Sequence, residues 1–123
     1  MSDVTRDELE RRLGEEDLVV LDVRTAGEFN GDAGYPCDAR QGHLPGARNI
    51  DVQVLFAAAA AAAVEELVGA PEGSEVIAYC HSGSRSAMAV EVLRAAGFNA
   101  RNYPGSWHEW AAILELPIES PLP

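Results

Sequence analysis

The sequence has only two cysteines in 123 residues, which excludes a disulfide scaffold as the source of its stability. No such scaffold is needed, because 47% of the residues are hydrophobic and 24% are charged, as in ordinary globular domains. We therefore expect reduced thiols and a cytoplasmic location.

Long apolar runs are also missing. The longest candidate, residues 52–64, is mostly alanine and shorter than the roughly 18 residues of a membrane span. Basic residues are scarce, with 9 against 20 acidic ones and a net charge of -11. Because this field repels phosphate backbones and anionic lipid headgroups, we expect neither nucleic acid nor membrane partners. A small anionic substrate would have to be held by local donors such as backbone amides or an arginine.

The length predicts one domain, residues 1–123, with a core over about 5–116 and a C-terminal tail over 117–123. Apolar patterning and turn residues predict strands at 18–23, 47–50, 76–79 and one closing at 102–103, and helices at 5–13, 55–68, 86–96 and 107–116. A long loop covers 30–46. Strands that alternate with helices predict an α/β fold, an open parallel sheet with helices on both faces.

Cys80 stands where a predicted core strand ends and a loop leads into a helix. In an open α/β sheet this is the edge at which ligands bind. Amides of the loop and the start of the helix favour a thiolate over a thiol and can hold an anion. The alternative is that Cys80 is an inert small hydrophobic residue, as many free cysteines are. The glycine, the arginine and the helix start around it favour a nucleophile.

Four segments then carry a family resemblance. They are Leu21-Asp22-Val23-Arg24 with Glu28-Phe29, Gly42-His43-Leu44-Pro45-Gly46-Ala47-Arg48-Asn49-Ile50, Tyr79-Cys80-His81-Ser82-Gly83-Ser84-Arg85-Ser86, and Tyr103-Pro104-Gly105-Ser106-Trp107-His108-Glu109-Trp110. In this order they resemble the motifs of the rhodanese-like domain family, and of the catalytic domain of thiosulfate and 3-mercaptopyruvate sulfurtransferases in particular.

The resemblance implies that Cys80 is the catalytic nucleophile of a two-step sulfur transfer. Its thiolate would take a sulfane sulfur from a donor such as thiosulfate and pass it, through a persulfide, to cyanide or a thiol. The implied partners are a small sulfur donor and acceptor, with a protein acceptor possible. No metal or organic cofactor is expected.

The loop residues His81, Ser82, Gly83, Ser84 and Arg85 are predicted to bind the substrate or the persulfide. Arg85 is expected to fix the loop shape or add positive potential, and the two serines to donate hydroxyls to the sulfur or simply to satisfy a tight loop. His81 either acts as a pH-sensitive donor beside the thiolate or faces solvent.

Asp22 and Arg24, at the end of the first strand, are predicted as supporting residues, either as a structural ion pair or as a substrate contact. His43 is expected to be a hydrogen-bonded turn residue. Cys37 is expected to pack in the long loop, with a role in resolving a persulfide as the alternative.

Two other functions stay open. One is a phosphatase or arsenate reductase, whose related loops place five residues between Cys and Arg, whereas four separate Cys80 from Arg85. The shorter loop encloses less volume and favours sulfur over phosphate. The other is a persulfide-relay or binding module with little activity on small donors.

Overall fold

The fold is built on a parallel sheet of four strands in the order β2-β1-β3-β4, seen in a computed structural model that describes residues 2–58 and 60–120. The strands are β1 (Leu18–Asp22), β2 (Arg48–Asn49), β3 (Glu75–Tyr79) and β4 (Asn99–Asn102). The two central strands, β1 and β3, are buried along almost their whole length. This burial explains their nearly continuous apolar sequences.

Helices cover both faces of the sheet, as the sequence predicts. They are α1 (Arg6–Arg12), α2 (Ala26–Asn30), α3 (Val52–Ala57), α4 (Ala61–Val68), α5 (Ser84–Ala95) and α6 (Ser106–Ala112). Because strand side chains alternate, Val19 and Leu21 pack with α3, α4 and α5 on one face, while Val20 packs with α1 and α6 on the other. The α/β class with an open parallel sheet is therefore confirmed.

The predicted continuous helix over 55–68 is wrong, because α3 ends at Ala57 and α4 begins at Ala61. Ala58 and Ala60 have extended backbones, and Ala59 lies outside the described residues. On one straight helix, the buried pair Val52 and Leu55 would lie about half a turn from the buried pair Val64 and Val68. The break turns both pairs toward the sheet.

Helix ends agree with the sequence at some sites and differ at others. Thr5 caps α1 by accepting a hydrogen bond from the Glu8 amide, and Gly97, with φ of 93°, follows α5. The buried face of α5 is formed by Ser86, Ala89, Val90 and Leu93, whereas Ala87 is exposed. Helix α6 ends at Ala112, before the predicted residue 116.

The segment after α6 lies against the domain. His43 and Glu119 exchange backbone hydrogen bonds in an antiparallel bridge, and the indole of Trp110 donates to the Pro117 carbonyl.

Across residues 2–58 and 60–120, no helix combines the length and the apolar character that crossing a bilayer requires.

Candidate active site

The loop that holds Cys80 lies at the carboxyl edge of the sheet, directly after β3. Gly83 has φ of 98° at the turn into α5, and a Cβ added there would lie 2.7 Å from the carbonyl oxygen of Pro104. The position therefore favours glycine both for its backbone conformation and for the space available. The loop can follow this tight path because residue 83 has no side chain.

The sulfur of Cys80 accepts several hydrogen bonds inside this loop. The amide of Gly83 lies 3.1 Å from Sγ, the amide of Ser86 3.4 Å and the hydroxyl of Ser86 3.3 Å. The hydroxyl of Ser106 lies 4.0 Å away. Cys80 itself is only 1% exposed, so these donors, rather than water, surround the sulfur.

These hydrogen bonds shift the pKa of the Cys80 thiol. Burial alone would raise the pKa of Cys80, but the Ser86 hydroxyl and the amides of Ser86, Gly83 and Ser82 outweigh burial and lower the pKa. The lowered pKa raises the fraction of Cys80 that is thiolate at a given pH, and the thiolate is the form that reacts as a nucleophile.

We expect the rate of Cys80 alkylation, measured against pH by iodoacetamide labelling and mass spectrometry, to give a pKa below the free-thiol value of about 8.5. Ser86→Ala removes the donor that lowers this pKa most, so its profile should shift to higher pH. The shift should exceed that in Arg85→Ala, because Arg85 is already paired with Glu28. An unshifted wild-type value, or equal shifts in the two variants, would contradict this account.

The N-terminal residues of helix α6 hydrogen-bond to the backbone of the Cys80 loop. The amides of Trp107 and His108 donate to the carbonyls of Cys80 and His81 at 2.9 and 3.0 Å. In return, the Cys80 amide donates to the Ser106 hydroxyl at 3.1 Å. Among the described residues Ser106 is the one non-glycine with positive φ, 55°, a conformation that its contacts with the loop must stabilise.

Arg85 closes the loop but points to Glu28. Its two terminal nitrogens lie 2.9 and 3.1 Å from the two carboxylate oxygens, a bidentate ion pair between α5 and α2. Burial would raise the pKa of Glu28, yet the pair with Arg85 lowers it overall. Arg85 therefore fixes the loop to α2, and the Glu28 carboxylate offsets part of its positive potential.

The remaining loop side chains lie apart from the sulfur. Ser82 and Ser84 are exposed, and the hydroxyl nearest the sulfur belongs to Ser86. His81 neither faces the thiolate nor extends into solvent: its Nε2 lies 3.1 Å from Oδ1 of Asp38, and its ring stacks on Tyr35 at 3.8 Å.

Asp22 and Arg24 form an ion pair in the interior, with side chains that are 0% and 1% exposed. Nη2 of Arg24 lies 2.7 Å from Oδ2 of Asp22 and donates to the Gly42 carbonyl at 2.6 Å. The guanidinium also lies over the rings of Tyr79 and Trp107, at 5.7 and 5.0 Å from their centroids. This burial supports the structural role and leaves no surface for a substrate to contact.

His43 and Cys37 lie in the long loop. The Nδ1 of His43 is 2.8 Å from the Phe29 carbonyl oxygen, and its ring stacks on Phe29 at 3.6 Å, as suits a hydrogen-bonded turn residue. Cys37 is exposed rather than packed.

Three residues of the site carry no role in the sequence prediction: Ser86, Glu28 and Ser106. The position of Ser86 in the first turn of the helix after Cys80 is the signal for its role. Residues in this turn can direct their amides, and Ser86 its hydroxyl, toward the loop. The Thr25-Ala-Gly-Glu28 spacing signals a capping box, and the structure contains one. Nothing local indicates that the Glu28 carboxylate also pairs with Arg85.

Known proteins with similar sequences cover most of this chain. A thiosulfate sulfurtransferase of Pseudomonas aeruginosa is 35% identical over 94% of this chain and 45% of its own length. A sulfur carrier protein, TtuD, of Thermus thermophilus is 31% identical over 80% of this chain and 40% of its own length. The chain thus spans less than half the length of these curated relatives.

Solved structures agree with the fold. A probable thiosulfate sulfurtransferase superposes with a TM-score of 0.81 at 42% identity, covering 95% of this chain and 47% of the other. An anaerobic ergothioneine biosynthesis enzyme from Chlorobium limicola shares the fold alone, with a TM-score of 0.85 at 18% identity over 97% of this chain and 28% of the other. The sequence model of the rhodanese-like domain family matches residues 5–113. The chain therefore belongs to the rhodanese-like domain family.

Proposed function

We propose that this domain is a sulfurtransferase that carries a sulfane sulfur on Cys80, from a donor such as thiosulfate to a thiophilic acceptor. The observation that carries the proposal is the convergence of Gly83 and Ser86 donors on the Cys80 sulfur, at 3.1 to 3.4 Å. Similarity to proteins named thiosulfate sulfurtransferase supports the choice of donor.

The reaction needs two displacements at sulfur. The Cys80 thiolate attacks the outer sulfur of thiosulfate, and the sulfur–sulfur bond of the donor breaks, so that sulfite leaves with the electron pair. The terminal sulfur of the resulting persulfide is then attacked by cyanide or a thiolate. Cys80 leaves as a thiolate, and thiocyanate or a new persulfide is released. No external oxidant or reductant is needed.

The loop amides are well placed for both steps. The Cys80 side chain is a thiolate before the first displacement and a persulfide anion between the two displacements. It is a thiolate again after the second. Fixed N–H donors in a site shielded from water stabilise such charge without rearranging. They also offset the repulsion that a net charge of -11 imposes on an anionic donor.

Arg85 distinguishes this proposal from a phosphatase. An oxyanion-wrapping loop needs an arginine that faces the anion, whereas both terminal nitrogens of Arg85 bind Glu28. With only four residues between Cys80 and Arg85, the donors converge on the sulfur atom itself. This geometry favours sulfur transfer over phosphate ester hydrolysis.

A persulfide relay is the second candidate. The similarity to a protein named sulfur carrier favours it. In this role Cys80 would receive its sulfur from a protein persulfide through the same displacement.

The direct test is mass spectrometry of the intact and digested protein after incubation with thiosulfate. We expect one added sulfur on the Cys80 peptide, lost on addition of cyanide, and none on the Cys37 peptide, which serves as an internal control. Turnover of an aryl phosphate under the same conditions should be at background.

Phosphate ester hydrolysis without added sulfur would contradict the proposal and support the phosphatase. If thiosulfate leaves Cys80 unmodified while a protein persulfide modifies it, the relay is supported and small-donor activity is excluded.

A further inference from the structure

Four side chains with metal-binding atoms meet beside the Cys80 loop. Cys37, Asp38, His81 and His108 each offer one ligand atom, and these atoms all lie within 4.8 Å of one another. They come from separate parts of the chain: the loop after α2, the Cys80 loop and helix α6. Thiolate, carboxylate and imidazole are the ligands that Zn²⁺ takes in proteins.

The carboxylate at the centre of this group is incompletely satisfied. This carboxylate belongs to Asp38, whose side chain is 1% exposed. Its Oδ1 lies 3.1 Å from His81 Nε2 and 2.9 Å from His108 Nδ1. The other oxygen, Oδ2, is buried with no hydrogen-bond partner among the described residues. A buried carboxylate oxygen without a partner is energetically unfavourable, so it indicates a missing ligand.

The distances between the four ligand atoms fit an ion with tetrahedral coordination. Zn–N, Zn–O and Zn–S bonds of about 2.0 to 2.3 Å place neighbouring ligand atoms about 3.3 to 3.8 Å apart. The two Asp38–His separations are already near this value, and the full set, within 4.8 Å, needs side-chain shifts of roughly an ångström. Cys37 and His108 are exposed, so their side chains have room to make these shifts.

We propose that Cys37, Asp38, His81 and His108 form a binding site for a zinc-class divalent ion, which clamps the long loop and helix α6 to the Cys80 loop. Four protein ligands fill a tetrahedral shell, which is the composition of a structural rather than a catalytic site. The two negative charges of a Cys37 thiolate and the Asp38 carboxylate match the charge of the ion. The site is separate from the sulfur chemistry proposed for Cys80.

The test uses the full chain, reduced and freed of metal with a chelator, and titrated with Co²⁺ and then Zn²⁺. We expect one equivalent of Co²⁺ to bind with a thiolate-to-metal charge-transfer absorption and to be displaced by Zn²⁺. Zn²⁺ should also raise the unfolding temperature in a concentration-dependent manner, because all four ligand atoms meet only in the folded chain.

Three variants locate the ligands. Cys37→Ser should abolish the charge-transfer absorption and weaken Zn²⁺ binding on the order of 100-fold or more, since even groups that only support a ligand change affinity 10- to 100-fold. His108→Ala should weaken binding but keep the absorption. Cys80→Ser, the matched control, should keep both, because Cys80 is outside the group.

The proposal is overturned if the wild-type chain binds no stoichiometric metal, if Cys37→Ser binds as tightly as wild type, or if the absorption is lost in Cys80→Ser. Circular dichroism of each variant ensures that a loss of binding reflects a lost ligand rather than a lost fold. Because Cys80→Ser should lose sulfur transfer and keep the metal, failure of the metal site and failure of the proposed function are distinguishable.

Discussion

Replacement of the Cys80 sulfur by oxygen, in Cys80→Ser, is expected to reduce thiosulfate-dependent sulfur transfer to background. A serine hydroxyl is nearly isosteric but far less acidic, and the loop donors cannot make it a useful nucleophile at neutral pH. The loss should be about 10⁴-fold or more, the scale found when a covalent nucleophile is removed. Steady-state thiocyanate formation from thiosulfate and cyanide measures it.

Cys37→Ser, assayed in metal-free buffer, is the matched control, because it makes the same change at the exposed cysteine. It should keep most of the activity. Thiocyanate production by purified Cys80→Ser would contradict the assignment of Cys80. Loss of activity in Cys37→Ser, with an unchanged circular dichroism spectrum, would place Cys37 in the mechanism.

The second large effect concerns stability. Asp22→Ala leaves the Arg24 guanidinium charged and buried, without the carboxylate that it contacts at 2.7 Å. Removing one partner of such a pair costs about 3–5 kcal/mol in the free energy of unfolding. Urea denaturation followed by tryptophan fluorescence should show the loss, since Trp107 packs against Arg24.

Two further variants sharpen this measurement. Asp17→Ala changes an exposed aspartate just before β1 and should alter stability by no more than about 0.5 kcal/mol. The double variant Asp22→Leu/Arg24→Met replaces both charges by apolar groups and should recover part of the loss. A cost below about 1 kcal/mol for Asp22→Ala would show that the pair is not a structural element.

The sequence predicts the sheet, and the position of the Cys80 loop at its edge, where the information is local. β1 and β3 are short runs of apolar residues, and Cys80 is placed by the end of β3 together with Gly83. The alanine run from Ala57 to Ala63 carries no such signal, because alanine favours a helix in every rotational phase. Only the buried valines on either side require the break between α3 and α4.

Long-range contacts account for what the sequence leaves undetermined. Arg85 is near Glu28 only because α2 and α5 meet at the same edge of the sheet, and these residues are 57 positions apart. The same holds for His81 and Asp38, 43 positions apart, which turns the histidine away from the thiolate. Short-range patterns name the residue types that can make such contacts but not their partners.

The attachment of the Cys80 loop to α6 has a consequence for biosynthesis. A chain emerging from the ribosome exposes Cys80 well before Ser106, Trp107 and His108, whose hydroxyl and amides bind the loop backbone. Until these residues emerge, the carbonyls of Cys80 and His81 lack their donors. The backbone of the Cys80 loop therefore has all of its α6 partners only after residue 108 has emerged, and a nascent chain halted before residue 106 would lack these contacts.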